Sequence, residues 1–262
     1  AFPYFVLDAG PPTLVDTGSG YGKSNTHLLE GLDTVRTEHG ESIRVHDVRR
    51  IYLTHGHIDH FGGVSAIQDR TDAEVGIHIL DRRVLTAYEE RVIVSTKALR
   101  VYFERAGVSA DRQPELMEMY GFSKKHVKST TVDHTFPDGD ERDGMVFIHT
   151  PGHCPGQVCI GLGDILLSAD HILSRTTPHQ SPESITPYTG LGHYLDALEK
   201  VHRIGGFDLA LGGHEKPIRD VYKRIDEIRI SHERKLEKLL DIIRDAESPV
   251  TIDDIAKSMY PT

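Results

Sequence analysis

Thr54-His55-Gly56-His57-Ile58-Asp59-His60-Phe61-Gly62-Gly63 packs three imidazoles and a carboxylate into six residues, directly after the apolar run Val48 to Leu53. The run predicts a short buried strand, so the ligand-type side chains sit where the strand ends and a Gly-rich loop begins. On an extended or turning segment, His55 and His57 can face one centre while Asp59 and His60 reach a second close by. Neutral imidazoles and carboxylates are ligands that suit zinc, iron or manganese, so the stretch reads as a metal site with room for two adjacent ions. The spacing is not that of a zincin helix, which carries His at i and i+4 around a Glu. Cys154 and Cys159 are too few and too close together for a four-thiolate site.

Three distal residues share the same setting. His153 follows the apolar strand Met145 to Thr150 and a Pro151-Gly152 turn; Asp170 ends Ile165 to Ala169; His214 ends Asp208 to Leu211 and precedes Glu215-Lys216-Pro217. Singly, each reads equally well as a cap or turn residue. Four strand ends, each carrying a ligand-type residue, point instead to one shared site. His171, beside Asp170, is read as structural or as support for a ligand.

With these residues in order, the chain resembles the metallo-β-lactamase-fold hydrolase superfamily, whose signature is T-H-x-H-x-D-H. The family's early Asp-Thr-Gly turn is matched by Asp16-Thr17-Gly18, and its later motifs by Thr150-Pro151-Gly152-His153, Ser168-Ala169-Asp170 and Leu211-Gly212-Gly213-His214. The resemblance implies that His55, His57 and His153 hold one metal, that Asp59, His60 and His214 hold the other, and that Asp170 bridges them. It also implies an α/β fold, the two-sheet αββα sandwich.

Composition agrees with a compact enzyme. At 262 residues and 38% apolar content the chain can bury a full core as one large domain or a domain with an appendage. No stretch approaches the ~18 continuous apolar residues of a membrane span, and no charged-then-apolar leader is read. The formal charge of −10 gives no overall attraction to nucleic acid or anionic membranes. The two cysteines point to a reducing compartment and are read as core thiols, so a cytoplasmic protein without a membrane partner is expected.

Along the chain, a hairpin of Tyr4 to Leu7 and Thr13 to Val15 is expected to lead into a helix capped near Ser24, with Leu28, Leu29 and Leu32 on one face. A helix after Gly63, a strand at Val75 to Ile79 and a helical stretch from Asp81 to Arg105 follow. Strands are expected at Thr130 to Thr135, Met145 to Thr150, Val158 to Leu162 and Ile165 to Ser168. Between Asp81 and Lys128, residues Val101, Tyr102, Phe103, Leu116, Met117, Met119, Tyr120 and Phe122 give an apolar surface, read either as an acyl-binding wall over the site or as an ordinary helical pair. Residues 1–218 form the expected catalytic domain and 219–262 a helical extension. In that extension Ile225, Ile228, Leu236, Leu239 and Ile243 form one apolar face, and Thr251 with Asp254 opens a short helix in a capping box. This tail resembles the start of the winged helix in the β-lactamase-like protein 2 group; it has no net basic excess, and a structural or homodimer-contact role is expected.

A two-metal centre makes hydrolysis the expected reaction, with two divalent ions, zinc first and iron or manganese also suited, and with Asp59 as ligand and proton carrier. Tyr188 and Tyr194 are the candidate substrate contacts. Asp170 and the missing leader argue against a true β-lactamase, and His57 against the flavin-linked diiron reductases. The glutathione contacts of the glyoxalase II-like branch are not found after Leu211. A small acyl substrate bound through a thioester, ester or lactone is therefore expected, with single-strand RNA cleavage as the main rival and iron-dependent persulfide oxygenation as a third reading.

Overall fold

The computed structural model describes residues 1–121 and 127–260, for Tyr120 the backbone alone. Phe122 and the Tyr120 side chain, both counted above in the apolar surface of segment 81–128, fall outside that description. In chain order the elements are β1 (Tyr4–Val6), β2 (Thr13–Val15), α1 (Ser24–Glu38), β3 (Arg50–Leu53), α2 (Ile58–Phe61), α3 (Val64–Gln68), β4 (Glu74–His78), α4 (Arg82–Thr86), α5 (Tyr88–Arg105), α6 (Gln113–Gly121), β5 (His134–Phe136), β6 (Asp140–Arg142), β7 (Met145–His149), β8 (Val158–Leu162), β9 (Ile165–Ala169), α7 (Leu191–Ile204), β10 (Leu209–Gly212), α8 (Val221–Arg244) and α9 (Ile252–Met259).

Two five-stranded sheets result, ordered β1-β2-β3-β4-β5 and β10-β9-β8-β7-β6. In the first, β2 to β5 pair in parallel; in the second, β10 pairs in parallel with β9 and the rest pair antiparallel. Side-chain alternation along each strand decides the layers. Ile51 and Leu53 of β3 pack under α1 and α3 with Leu28, Leu32, Val64 and Ile67, whereas Tyr52 between them turns to the opposite face and meets Phe136 and Phe147. In the second sheet Phe147, Val158, Ile160 and Leu167 face inward. Ile148, Cys159 and Leu166 face out under α7 and α8 with Tyr194, Leu198, Val201 and Ile225. Both faces of each sheet are thus covered, which is why the strands read as apolar runs. The αββα sandwich expected from the sequence is the fold.

Several local expectations need correction. Ser24 does not cap α1: Lys23 holds the cap position without a side-chain bond, and Ser24 Oγ accepts from the Ser19 amide at 3.1 Å, bracing the turn after β2. The strand expected from Thr130 begins at His134, because Ser129 and Thr130 spend their polar groups on Glu89, Gln68 and the Leu85 carbonyl. The segment after Gly56, expected to be extended or turning, does turn: Ile58–Phe61 closes a helical turn. Helix α7 and the short strand β6 were not anticipated.

Only the first half of α8 buries its apolar face. Val221, Ile225 and Ile228 are in the core, while Leu236 and Ile243 are exposed. The boundary expected at 218/219 therefore falls just ahead of a helix whose first turns are core. The capping box of α9 is present: the Thr251 hydroxyl accepts from the Asp254 amide at 3.2 Å, and the Asp254 carboxylate accepts from Thr251 N at 3.0 Å. Segment 81–121 is helical as expected, and its far end docks on this tail. The Asp253 amide donates to the Ala106 carbonyl at 3.0 Å, and Arg112 pairs with Asp253 at 3.1 Å. No helix among the described residues is long and apolar enough to cross a membrane.

Candidate metal centre

The chain leaves β2, β3, β7, β9 and β10 at the same edge of the sandwich, and each exit carries part of the site. The two sheets are tied there by the Val158 amide donating to the Thr54 carbonyl at 2.9 Å. Backbone strain collects at the same edge: Asp16, Ala169, Tyr188 and Glu215 all adopt positive φ, a costly conformation for residues other than glycine.

Three ligand groups form. His55, His57 and His153 converge, as do His55, His60 and Asp170, and Asp59, His60 and His214, with every ligand atom in a group within 4.8 Å of the others. All seven residues predicted from the sequence are thus brought together. His57 Nδ1 lies 3.1 Å from His55 Nε2 and 2.9 Å from His153 Nε2. On the other side, His214 Nε2 lies 3.1 Å from Asp59 Oδ2 and 3.5 Å from Asp170 Oδ2.

Hydrogen bonds on the far side of the rings fix which nitrogen faces inward. His60 Nδ1–H donates to Asp16 Oδ2 at 2.8 Å. The Thr54 hydroxyl donates to Asp16 Oδ2 at 2.8 Å, so its oxygen accepts from His55 Nδ1–H at 3.1 Å. His153 Nδ1–H donates to the His179 carbonyl. In each case Nε2 is left bare and directed inward. His60 Nε2 and Asp170 Oδ1 are buried without a hydrogen-bond partner among the described residues and lie 3.4 Å apart. Orphaned lone pairs facing each other are costly unless a cation sits between them, so the donor set fits divalent metal ions.

The electrostatics divide the centre. Burial, with the like charge of His153 and His60, pushes His57 down to about 3, and burial likewise lowers His55 and His153. Burial also acts against a charged His60, but the Asp16 and Asp170 carboxylates outweigh it and lift the ring to about 10, so this half favours a cation at Nε2, whether a proton or a metal ion that displaces it. Hydrogen bonds to Asp170 and Asp59 lift His214 to about 9. Those bonds overcome burial and hold both carboxylates well below their usual range. One half is therefore a neutral three-imidazole cup, the other an acidic half with two ionised carboxylates.

A model for the metallo-beta-lactamase superfamily matches residues 2–242. The chain belongs to this superfamily. Its relatives include the "Probable metallo-hydrolase YflN" of Bacillus subtilis, 26% identical over 82% of this chain and 80% of that protein. A "Beta-lactamase-like protein 2 homolog" of Caenorhabditis elegans is 24% identical over 98% of this chain and 70% of the other. Among solved structures, the metallo-beta-lactamase family protein TTHA1429 of Thermus thermophilus aligns with a TM-score of 0.80 at 25% identity, covering 99% of this chain and 82% of that one. The chain is accordingly a metallo-hydrolase of the superfamily, with a His/Asp metal-binding cluster.

The tyrosines divide. Tyr194, expected as a substrate contact, is fully buried in α7, and its hydroxyl donates to the His171 carbonyl at 2.9 Å. It is a core residue, because helix α7 turns it onto the second sheet. Tyr188 is exposed, and its carbonyl accepts from the Gly152 amide at 3.1 Å, next to His153. His171 packs edge-on against Tyr194 and joins none of the ligand groups. Both cysteines are buried and free, as expected of core thiols.

Sequence reasoning missed the residues behind the ligands. Asp16 was legible only as part of a turn motif, and its hold on Thr54 and His60 depends on strand order. Gly213 was quoted only as a neighbour of His214, yet a Cβ there would lie 2.5 Å from Asp170 Oδ1 and 2.6 Å from His60 Cε1. Asp81 lies outside every motif, and Glu215 was noted only for following His214.

Proposed function

We propose that this metallo-hydrolase binds two divalent ions, zinc first, and cleaves a thioester, ester or lactone of a small acyl substrate in the cytoplasm. When bound, the ions supply Lewis-acid activation of water and of the substrate's electrophilic oxygen at neutral pH. His55, His57 and His153 would hold one ion and Asp59, His60 and His214 the other, with Asp170 between the two groups. Asp59 and His214 are the most open ligands, at 42% and 39% side-chain exposure, so substrate approaches from the acidic half. Asp59, at the open side of that half, is placed to accept a proton from the attacking water and to pass it to the leaving group.

The observation that carries the acyl reading is the apolar character of exposed residues tied to the metal loops. Phe2 is exposed, and its amide donates to the Gly213 carbonyl at 2.6 Å; Tyr188 is held at Gly152. Ile79 and Leu80 are exposed immediately before Asp81, which binds the loops on either side of the imidazole cup. Exposed apolar side chains on the segments that hold the metal loops suit an acyl group. RNA cleavage is the second reading, favoured by exposed Arg175 and Lys216, which flank the Glu215 side chain and backbone beside His214.

The test is a parallel assay of metal-loaded protein against acyl-CoA thioesters, lactones and single-stranded RNA, with Asp59→Ala as control. Acyl turnover that is lost in the control is expected. Turnover of RNA alone would overturn the acyl reading.

A further inference from the structure

Asp81 follows β4 in a 3-10 turn, and its side chain is fully buried. Its carboxylate accepts three hydrogen bonds: from the Gly56 amide at 2.7 Å, from the Gly156 amide at 2.9 Å and from the Cys154 thiol at 3.1 Å. No Lys or Arg pairs with it among the described residues. A buried carboxylate served only by neutral donors costs stability that an apolar side chain of similar size would not. Its partners account for its presence. Gly56 separates His55 from His57, while Cys154 and Gly156 directly follow His153.

The two loops come from different sheets. His55 and His57 leave β3 of the first sheet and His153 leaves β7 of the second, and at this edge Val158 N also bonds Thr54 O. Three imidazoles at about 3 Å spacing require the loops to hold their separation to a fraction of an ångström. The glycines are matched to the carboxylate: a Cβ at Gly156 would lie 2.6 Å from Asp81 Cγ, and one at Gly56 would lie 3.2 Å from Asp81 Oδ2.

We propose that Asp81 is a positioning residue for the three-imidazole site, clasping the His55–His57 loop to the His153 loop so that the cup exists before metal enters. It touches neither ion nor substrate, and it acts on one half of the centre only. The proposal rests on the reading of these histidines as metal ligands, and the experiment separates the two.

Metal-stripped protein is titrated with Co(II), and the paramagnetically shifted ring N–H resonances are followed by proton NMR. His55 and His153 report the three-imidazole site and His60 the other. Asp81→Ala removes the clasp, and Gly156→Ala displaces it while leaving the carboxylate in the chain. Both variants are expected to need about 10- to 100-fold more Co(II) to bring up the His55 and His153 resonances, the usual scale for losing a group that orients ligands, with the His60 resonance keeping its wild-type midpoint. Asp81→Asn, which still offers one oxygen, should fall between. Wild-type midpoints for His55 and His153 in Asp81→Ala, or an equal loss at His60, would overturn the proposal. Failure of both variants to fold without metal would also overturn it, leaving Asp81 as a staple of the fold. A wild-type protein with no shifted resonances would instead sink the metal-centre reading itself.

Discussion

Asp16 Oδ2 lies 2.8 Å from His60 Nδ1, both groups are buried, and the contact turns the bare Nε2 of His60 toward Asp170. The same carboxylate accepts the Thr54 amide at 2.9 Å and the Thr54 hydroxyl at 2.8 Å. Asp16→Asn keeps the shape but sets an amide N–H₂ or a weaker acceptor against His60 Nδ1. Metal affinity at the Asp59–His60–His214 half is expected to fall about 10- to 100-fold, measured by metal titration of the stripped protein. An unchanged affinity would show that His60 is oriented by packing alone.

Gly213→Ala tests how tightly the acidic half is built. Its Cβ would enter the space between Asp170 Oδ1 and His60 Cε1. Activity is expected to drop at least ~100-fold, the scale of an ångström-sized misplacement in an active site, with less metal bound per chain. Full metal content and turnover in the variant would mean the loop shifts freely.

Tyr194→Phe separates a core tyrosine from a catalytic one. Among the described residues the hydroxyl bonds only the His171 carbonyl, so the change should leave kcat and KM as they are and lower stability by about 1 kcal/mol, or ~2–4 °C in Tm for a chain of this size. A large loss of kcat with unchanged Tm would return Tyr194 to the substrate site.

His78 gives the fold an acid-sensitive joint between its two sheets. Its ring stacks on His149 at 4.0 Å, joining β4 of one sheet to β7 of the other. Burial, then the His149 and Lys200 charges, lower its pKa to about 4, against the opposing pull of Asp138. The folded value lies below that of the unfolded chain, about 6.5. The unfolded state therefore binds the proton more readily, and stability from this residue is complete above pH 6.5 and lost as pH falls toward 4. His78→Asn, which retains an acceptor for the Leu80 amide, is expected to flatten the Tm profile between pH 6.5 and 4. Superimposable profiles for wild type and variant would refute this.

The sequence by itself pointed to the seven candidate ligands, because each lies at the end of an apolar run or in the loop that follows it, a local pattern that the family resemblance completes. It also determined the sandwich, through resemblance and through strands apolar on both faces. It determined the Thr251–Asp254 cap, which involves residues three apart. The tertiary structure alone decided what stands behind the ligands. Asp16 reaches His60 across 44 residues and Asp81 reaches Gly156 across 75, distances over which no periodicity carries information. It also decided that Tyr194 is core, because the side a residue faces on α7 is set by where that helix lands on the second sheet, and that Tyr188, in the loop before α7, is exposed. A ligand's identity is written in its neighbours in sequence, but its orientation is fixed by groups that only the pairing of two sheets brings near.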